Sequence, residues 1–140
     1  MNGHAARGML DTSTVILLGD LRDPSVLPDE CVISVVTLAE LSVGPHVAGT
    51  ARERSARQAH LQQAEADFQP VPFDAASARA FGRVAVSLRQ AGREPAARAY
   101  DALIAASAIA HDLPLYTCNP ADFAGIDELS VQAIPNPRRR

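Results

Sequence analysis

The chain has 140 residues, of which 47% are hydrophobic, and a formal net charge of −3 at pH 7. This length fits one compact domain and is too short for two. All thirteen basic residues are arginines, which excludes catalysis that needs a lysine, such as Schiff-base formation or a P-loop. The negative charge excludes an overall basic field, so any nucleic acid must meet a local arginine patch.

Two cysteines, Cys31 and Cys118, are too few for a disulfide framework and have no zinc-binding spacing. We therefore expect reduced thiols in a cytoplasmic protein. The early apolar stretch at residues 15–18 ends before Asp20 and is far too short for a signal-peptide core or a membrane span. Neither export nor a membrane partner is expected.

Hydrophobic runs alternate with helical patterns, which predicts an α/β fold with a central parallel sheet flanked by helices. The predicted strands cover residues 8–10, 31–36, 70–73, 115–117 and 131–134. The predicted helices cover residues 14–21, 37–43, 50–67, 75–91 and 96–110, with a helical turn at 120–123. We expect residues 1–8 to be a flexible extension, 9–134 the domain and 135–140 an arginine-rich tail.

Helix caps accompany several of these elements. Ser13 is placed to cap the helix at 14–21, and Asp74 the helix at 75–91, which Gly92 ends. Thr37 and Glu40 have the spacing of a capping box, in which Glu40 would bond back to the Thr37 backbone. Gly44 and the proline after it should interrupt that helix. The polar helix at 50–67 is a candidate wall of a substrate or partner groove.

Four carboxylates fall directly after predicted strands or in the first turn of predicted helices: Asp11, Glu40, Asp101 and Asp122. An ionised carboxylate in apolar surroundings is retained only when it is paired, capped or bound to a cation. Asp101 begins an otherwise apolar helical stretch, which a surface role explains poorly. In a parallel sheet such positions converge at the carboxyl edge, where α/β proteins bind ligands. The pattern predicts one shared acidic site for a divalent cation.

Three of the four acids also have a purely structural interpretation. Asp11 can make an Asx-type turn bond, and Glu40 belongs to the possible capping box. Asp122 follows Asn119, a possible N-cap, and a proline at the first helical position, so its charge suits a helix N-terminus. Taken alone, Asp11 leaves the choice open, and Glu40 and Asp122 favour the structural interpretation. The convergence of the acids favours the shared site.

Four stretches of the sequence occur in an informative order. They are residues 10–13 (Leu-Asp-Thr-Ser), 34–41 (Ser-Val-Val-Thr-Leu-Ala-Glu-Leu), 101–108 (Asp-Ala-Leu-Ile-Ala-Ala-Ser-Ala) and 115–123 (Leu-Tyr-Thr-Cys-Asn-Pro-Ala-Asp-Phe). Together they resemble the PIN-domain ribonucleases, and within them the VapC-type toxins of bacterial toxin–antitoxin pairs. The resemblance extends from residue 9 to about residue 134.

The resemblance implies a PIN-like three-layer sandwich in which the strand before Asp11 neighbours the strand before Asn119. It implies Mg²⁺ or Mn²⁺, hard cations that take oxygen ligands. The catalytic acids would be Asp11, Glu40, Asp101 and Asp122, the first three of them as metal ligands. The residues that position substrate or carboxylates would be Thr12, Ser13, Arg98 and Asn119.

The resemblance also implies partners and products. The substrate would be structured cellular RNA of the tRNA or rRNA class, cleaved by a metal-dependent endoribonuclease to a 5′-phosphate and a 3′-hydroxyl. A small VapB-type antitoxin would cover the acidic site. A homodimer is expected, and with the antitoxin a heterotetramer or larger complex.

Two residues leave alternatives open. Arg98 precedes Asp101 by one turn on roughly the same helix face, so it is either a phosphate contact or part of a surface ion pair. Asn119 stands where some relatives carry an acid, which argues against a second permanent metal and leaves a weakly active binding module as one alternative. A metal-dependent phosphatase or phosphotransferase is the other, although the missing lysine and Asp-x-Asp pair argue against it.

Overall fold

A computed structural model describes residues 6–138 and contains a five-stranded parallel sheet in the order β3-β2-β1-β4-β5. The strands are β1 (Arg7–Leu10), β2 (Glu30–Ser34), β3 (Pro70–Val71), β4 (Leu115–Thr117) and β5 (Val131–Ala133). The helices are α1 (Thr12–Leu17), α2 (Val35–His46), α3 (Ala51–Asp67), α4 (Ala75–Gln90) and α5 (Ala99–Ala110). Short 3₁₀ turns cover Leu18–Asp20, Pro24–Val26, Pro95–Arg98 and Pro120–Phe123. The predicted α/β fold is confirmed.

Two hydrophobic clusters lie on opposite faces of the sheet. Successive strand residues point to opposite faces, so Met9 and Leu10 belong to different clusters, as do Leu115 and Tyr116. The cluster around Met9 is completed by α4 and α5, and the cluster around Leu10 by α1, α2 and α3. The sheet is therefore the middle layer of the three-layer sandwich that the resemblance implied.

Strand β1 lies between β2 and β4, where the strand order reverses. Met9 is in register with Leu115, and the backbone N–H of Asp11 donates to the carbonyl of Tyr116 at 3.4 Å. The segments that follow β1 and β4 therefore meet at one edge of the sheet. In open α/β sheets this reversal point is where ligands bind. The predicted neighbourhood of the strands before Asp11 and Asn119 is confirmed.

Several predicted boundaries agree closely with the structure. Strand β4 and the turn at Pro120–Phe123 have the predicted bounds. Asp74 caps α4 by accepting the N–H of Ser77, and Gly92 has the left-handed φ of 76° expected of a C′ glycine. The strand predicted at 8–10 begins one residue earlier, because the N–H of Glu30 reaches the carbonyl of Ala6 at 2.8 Å.

The start of α1 was predicted wrongly. Asp11, and not Ser13, is the N-cap, because the Asp11 carboxylate accepts the backbone N–H of Thr14. The Ser13 hydroxyl donates to the same carboxylate at 3.0 Å. The helix therefore begins two residues early, at Thr12, and ends at Leu17 in a 3₁₀ turn.

The capping box at Thr37 is also wrong. Strand β2 ends at Ser34, whose hydroxyl accepts the N–H of Val36 at 3.0 Å and caps α2. Glu40 therefore lies within the helix, too far from its start to bond back to the cap. Pro45 does not interrupt α2 either, since it lies in the last turn, where its missing N–H costs a single helix bond.

Helix α3 is polar, as predicted, and Ala64 is the only buried residue within it. Thr50 caps it by accepting the N–H of Glu53, and Glu53 accepts the N–H of Gly49 at 3.0 Å. No helix in the range 6–138 is long and apolar enough to cross a membrane. The first five residues of the predicted extension and the last two of the predicted tail lie outside the described residues.

Candidate active site

Asp11 lies at the carboxyl end of β1 with 2% of its surface exposed. Its Oδ1 accepts the backbone N–H and the hydroxyl of Thr14, and its Oδ2 accepts the hydroxyls of Ser13 and Thr117, the latter at 2.9 Å. Burial raises the pKa of Asp11, and these hydrogen bonds partly offset the increase. Four donors occupy all four acceptor positions of the carboxylate, so its orientation is fixed.

The hydroxyls around Asp11 connect it to the segment after β4. Thr14 Oγ1 accepts the N–H of Cys118 at 3.1 Å, and Thr117 Oγ1 accepts the N–H of Asn119 at 2.9 Å. Each threonine therefore receives a hydrogen bond from the β4 segment and donates one to Asp11. Segments that lie far apart in sequence therefore form one rigid unit, since Cys118 follows Thr14 by 104 residues.

Asn119 faces the same carboxylate through Ser13. Its Nδ2 donates to the Ser13 hydroxyl at 3.0 Å, and its Oδ1 accepts the Nδ2 of Asn136 at 3.5 Å. Asn119 begins the following turn, but its side chain makes no cap hydrogen bond. The capping interpretation of its side chain is therefore wrong, and the amide orients Ser13.

Glu40 reaches the site from the second turn of α2. Its Oε1 is buried and accepts no hydrogen bond from any described residue. An unpaired buried carboxylate oxygen is costly, and it becomes favourable when a cation or donor arrives. Thr12 and Glu40 line one small cavity. The Thr12 hydroxyl donates to Thr37 at 3.1 Å, so it joins α1 to α2 and does not donate to Glu40.

Asp101 lies in the first turn of α5. Within residues 6–138, the structure records no hydrogen bond to its carboxylate. Burial, followed by the negative charges of Asp122, Glu40 and Asp11 in that order, raises its pKa to about 6. The positive charge of Arg98 opposes this increase. The other three predicted acids therefore lie within electrostatic range of Asp101, although the four come from separate segments.

Asp122 lies on the turn after β4 and pairs with Arg98. The Arg98 Nη1 lies 3.2 Å from Asp122 Oδ1, and both side chains are partly exposed. The ion-pair alternative for Arg98 is therefore present, with a partner on another element. Arg93, which sequence analysis missed, fixes this turn by donating to the carbonyls of Ala121 and Ala124 at 3.0 and 2.9 Å.

The acids are grouped but not preassembled around an ion. Among residues 6–138, no three His, Cys, Asp or Glu side chains are arranged to hold a metal as they stand. Burial and the negative charges of Asp122, Glu40 and Asp11 all disfavour ionisation of Asp101. The predicted ligand set of Asp11, Glu40 and Asp101 remains a prediction.

Sequence analysis missed the buried hydroxyls of Thr14 and Thr117. Thr14 carried a usable signal, because it stands three residues after an aspartate that follows a strand, which is the spacing of an N-cap contact. Thr117 carried none, since its contact to Asp11 depends on the pairing of β1 with β4.

Comparison with known proteins agrees with this architecture. A family model described as the PIN domain matches residues 9–129. Ribonuclease VapC5 of Mycobacterium tuberculosis is 39% identical over 137 residues, which cover 96% of this chain and 98% of that protein. Ribonuclease VapC8 of the same species is 34% identical over 106 residues, covering 76% of this chain and 94% of that protein.

A solved structure of a relative has the same fold. The crystal structure of VapBC-5, a member of the VapBC family of toxin–antitoxin systems from M. tuberculosis, contains a chain that matches with a TM-score of 0.77. Its identity is 35%, and the match covers 92% of this chain and 99% of that chain. The protein is thus a PIN-domain protein by its family match and by its fold. Within that class, the chain belongs to the VapC ribonuclease family.

Proposed function

We propose that this protein is a divalent-cation-dependent endoribonuclease that acts as the toxin of a toxin–antitoxin pair. The observation that carries the proposal is the grouping of Asp11, Glu40, Asp101 and Asp122 at the point where the strand order reverses. Four negative charges in a partly buried site are unfavourable by themselves. A cation that offsets this repulsion explains why they are placed together.

The residues fit a hard cation such as Mg²⁺ or Mn²⁺. The donors are carboxylate oxygens, the buried Oε1 of Glu40 has no hydrogen-bond partner among residues 6–138, and burial together with acidic neighbours raises the pKa of Asp101. Asp11, Glu40 and Asp101 would hold the ion, and Asp122 would add charge beside it. A bound cation supplies charge neutralisation of the phosphate and a more acidic water.

The chain's own side chains would divide the remaining work. Asp11 already accepts four hydrogen bonds, so an ion at Asp11 must replace one donor. The Ser13 hydroxyl is the donor best suited to rotate away, because Ser13 is half-buried whereas Thr14 and Thr117 are fully buried. Asp101, with its pKa raised to about 6, is suited to hold or release a proton near neutral pH.

The identity of the substrate and partners is inferred from the relatives. VapC5 and VapC8 are named ribonucleases, and VapBC-5 is described as a toxin–antitoxin system. We infer that this chain cuts structured cytoplasmic RNA of the tRNA or rRNA class. A small VapB-type antitoxin would cover the acidic site, and its basic side chains would be attracted to the carboxylates. The active form would be a homodimer.

Incubation of the purified protein with total tRNA and rRNA tests this function. The RNA is separated on denaturing gels after incubation with Mg²⁺, Mn²⁺ or EDTA. We expect discrete cuts with either metal, none with EDTA, and 5′-phosphate and 3′-hydroxyl ends. A cognate antitoxin should abolish the cuts. Hydrolysis of p-nitrophenyl phosphate without RNA cleavage would contradict the proposal and favour a phosphatase.

A further inference from the structure

A small cavity joins the acidic site to helix α3. Its volume is about 180 Å³, and it is lined by Thr12 and Glu40 on one side and by Arg57 and His60 on the other. Pockets that enclose whole small molecules usually exceed about 300 Å³. This cavity therefore has room for a phosphate group and water, and not for a complete nucleotide.

Arg57 is held in the cavity wall by the backbone of α2. Its Nη1 donates to the carbonyl of Gly44 at 3.0 Å. A Cβ on Gly44 would lie 3.2 Å from Cδ and 3.4 Å from Cβ of Arg57, so the bare glycine lets the arginine side chain lie against the helix. Both the stem and the guanidinium are thus fixed by one residue of α2. A guanidinium fixed in this way needs little further ordering to bind an anion.

Most of the guanidinium remains available. Arginine has five N–H donors, and the contact with Gly44 uses one of them. The nearest carboxylate oxygen, Oε2 of Glu53, lies 4.0 Å from Nη2, at the limit of an ion pair. The Arg57 side chain is 42% exposed, so a ligand can reach it from solvent.

His60 extends this basic wall. It follows Arg57 by three residues on α3, so the two side chains share a helix face. His60 is half-buried and makes no side-chain hydrogen bond or ion pair that the structure records within residues 6–138. It also borders a second cavity of about 520 Å³ between α1 and α3. His60 therefore borders both cavities, and Asp20, Asp67 and Arg138 are the charged residues that also line the larger one.

We propose that Arg57 and His60 form a phosphate-binding subsite beside the acidic site, which takes an RNA phosphate neighbouring the one that is cleaved. The subsite rests on the proposed ribonuclease function. It explains how a chain with a net charge of −3 holds a polyanion next to four carboxylates. Arg57 supplies the charge, Gly44 fixes its position, and His60 adds an N–H donor one turn further along.

RNA binding without cleavage tests the subsite directly. The Asp101→Asn protein is titrated into a fluorescein-labelled 12-nucleotide RNA, and anisotropy is measured at several salt concentrations. Adding Arg57→Gln should weaken binding about tenfold and lower the salt slope by about 0.7, the value for one lost single-strand phosphate contact. His60→Gln should weaken binding about threefold, as should Gly44→Ala, because its Cβ displaces the arginine.

Arg52→Gln is the matched control. It removes the same charge from the same helix, but Arg52 is exposed and borders neither cavity. We expect less than a twofold change in RNA affinity. Equal weakening by Arg52→Gln and Arg57→Gln would overturn the subsite, because net charge alone would then explain the loss. RNA affinity unchanged by Arg57→Gln would overturn it as well.

Kinetics and unfolding separate the subsite from a structural role of Arg57 at the end of α2. In the otherwise wild-type protein, Arg57→Gln should raise KM about tenfold and leave kcat within twofold, with an unchanged melting temperature. A lower melting temperature with no change in KM would assign Arg57 to stability and overturn the subsite. If the wild type cleaves no RNA, the ribonuclease function fails, and the anisotropy comparison still decides whether the subsite exists.

Discussion

Asp11 and Asp101 are both acids at the carboxyl edge of the sheet, but they are held there in opposite ways. Asp11 is 2% exposed and accepts four hydrogen bonds, three of them from hydroxyls. The Asp101 carboxylate has no recorded hydrogen bond within residues 6–138. Burial and neighbouring acids raise its pKa to about 6. Hydrogen bonds fix the Asp11 carboxylate, while burial and neighbouring charges act on that of Asp101.

This difference separates two roles within one site. Removing Asp11 leaves buried donors without an acceptor, so its loss should damage the fold as well as the chemistry. Removing Asp101 relieves repulsion and leaves no unsatisfied donor, so its loss should damage the chemistry alone. The proposed site would therefore combine a rigid carboxylate with one whose charge responds to cations and to pH.

The largest expected effect is on RNA cleavage. Asp11→Asn and Asp101→Asn should each lower the Mg²⁺-dependent cleavage rate at least about 100-fold, because each removes a carboxylate oxygen from the cation site. The rate is measured with the RNA that the wild type cuts. Circular dichroism and size-exclusion chromatography serve as controls, and both variants should stay folded and dimeric. Cleavage at the wild-type rate by either variant would refute the shared site.

Stability should separate the two acids. Asp11→Ala should lower the free energy of unfolding by about 2–3 kcal/mol, since it removes the N-cap of α1 and the acceptor of three hydroxyls. Asp101→Ala should cost far less. Because the pKa of folded Asp101 lies above its unfolded value, ionisation destabilises the fold as pH rises from about 4 to about 6.

Contact with solvent limits how much the ionisation of Asp101 destabilises the fold. Asp101 is partly exposed, so screening reduces the full shift to about 1 kcal/mol. At pH 7 the free energy of unfolding of Asp101→Ala should therefore equal that of the wild type or exceed it by up to about 1 kcal/mol. Urea unfolding at pH 4 and pH 7 provides the measurement. Equal losses from the alanine variants of both acids would remove the distinction between them.

The smallest effect concerns the pH dependence of cleavage. Protonated Asp101 cannot bind a cation, so at subsaturating Mg²⁺ the rate should fall about tenfold per pH unit below about pH 6. The charge of Arg98 lowers the pKa of Asp101, so Arg98→Gln should move this midpoint to higher pH. The full pH profile of kcat/KM is compared between the two proteins. A midpoint that moves to lower pH would contradict the charge balance.

The sheet and its acidic edge could be predicted because they depend on local patterns. Apolar runs that alternate with helices predict a parallel sheet, and Asp101 stands out because its helix is otherwise apolar. The starts of α1 and α2 were harder, since neighbouring polar residues compete as caps. Asp11 rather than Ser13 caps α1, since the Asp11 carboxylate accepts the Thr14 N–H, and in the folded chain it also contacts Thr117.

The partners of the other site residues were equally nonlocal. Arg98 was expected either to contact a phosphate or to form a surface ion pair, and the sequence did not indicate its partner Asp122, which is 24 residues away on another element. The isolation of Glu40 Oε1 depends on how α2 packs against its neighbours, which no spacing in the sequence encodes. Residue identity indicated the candidate side chains, and tertiary packing decided which of them form hydrogen bonds or ion pairs with each other.

Cation binding tests the shared site most directly. Mn²⁺ is titrated into the wild type, Asp11→Asn and Asp101→Asn at pH 7.5, and free Mn²⁺ is followed by electron paramagnetic resonance. The account predicts saturable binding to the wild type and at least about tenfold weaker binding to each variant, since each loses one anionic ligand. Wild-type Mn²⁺ affinity in either variant would show that Asp11 and Asp101 do not hold one ion together.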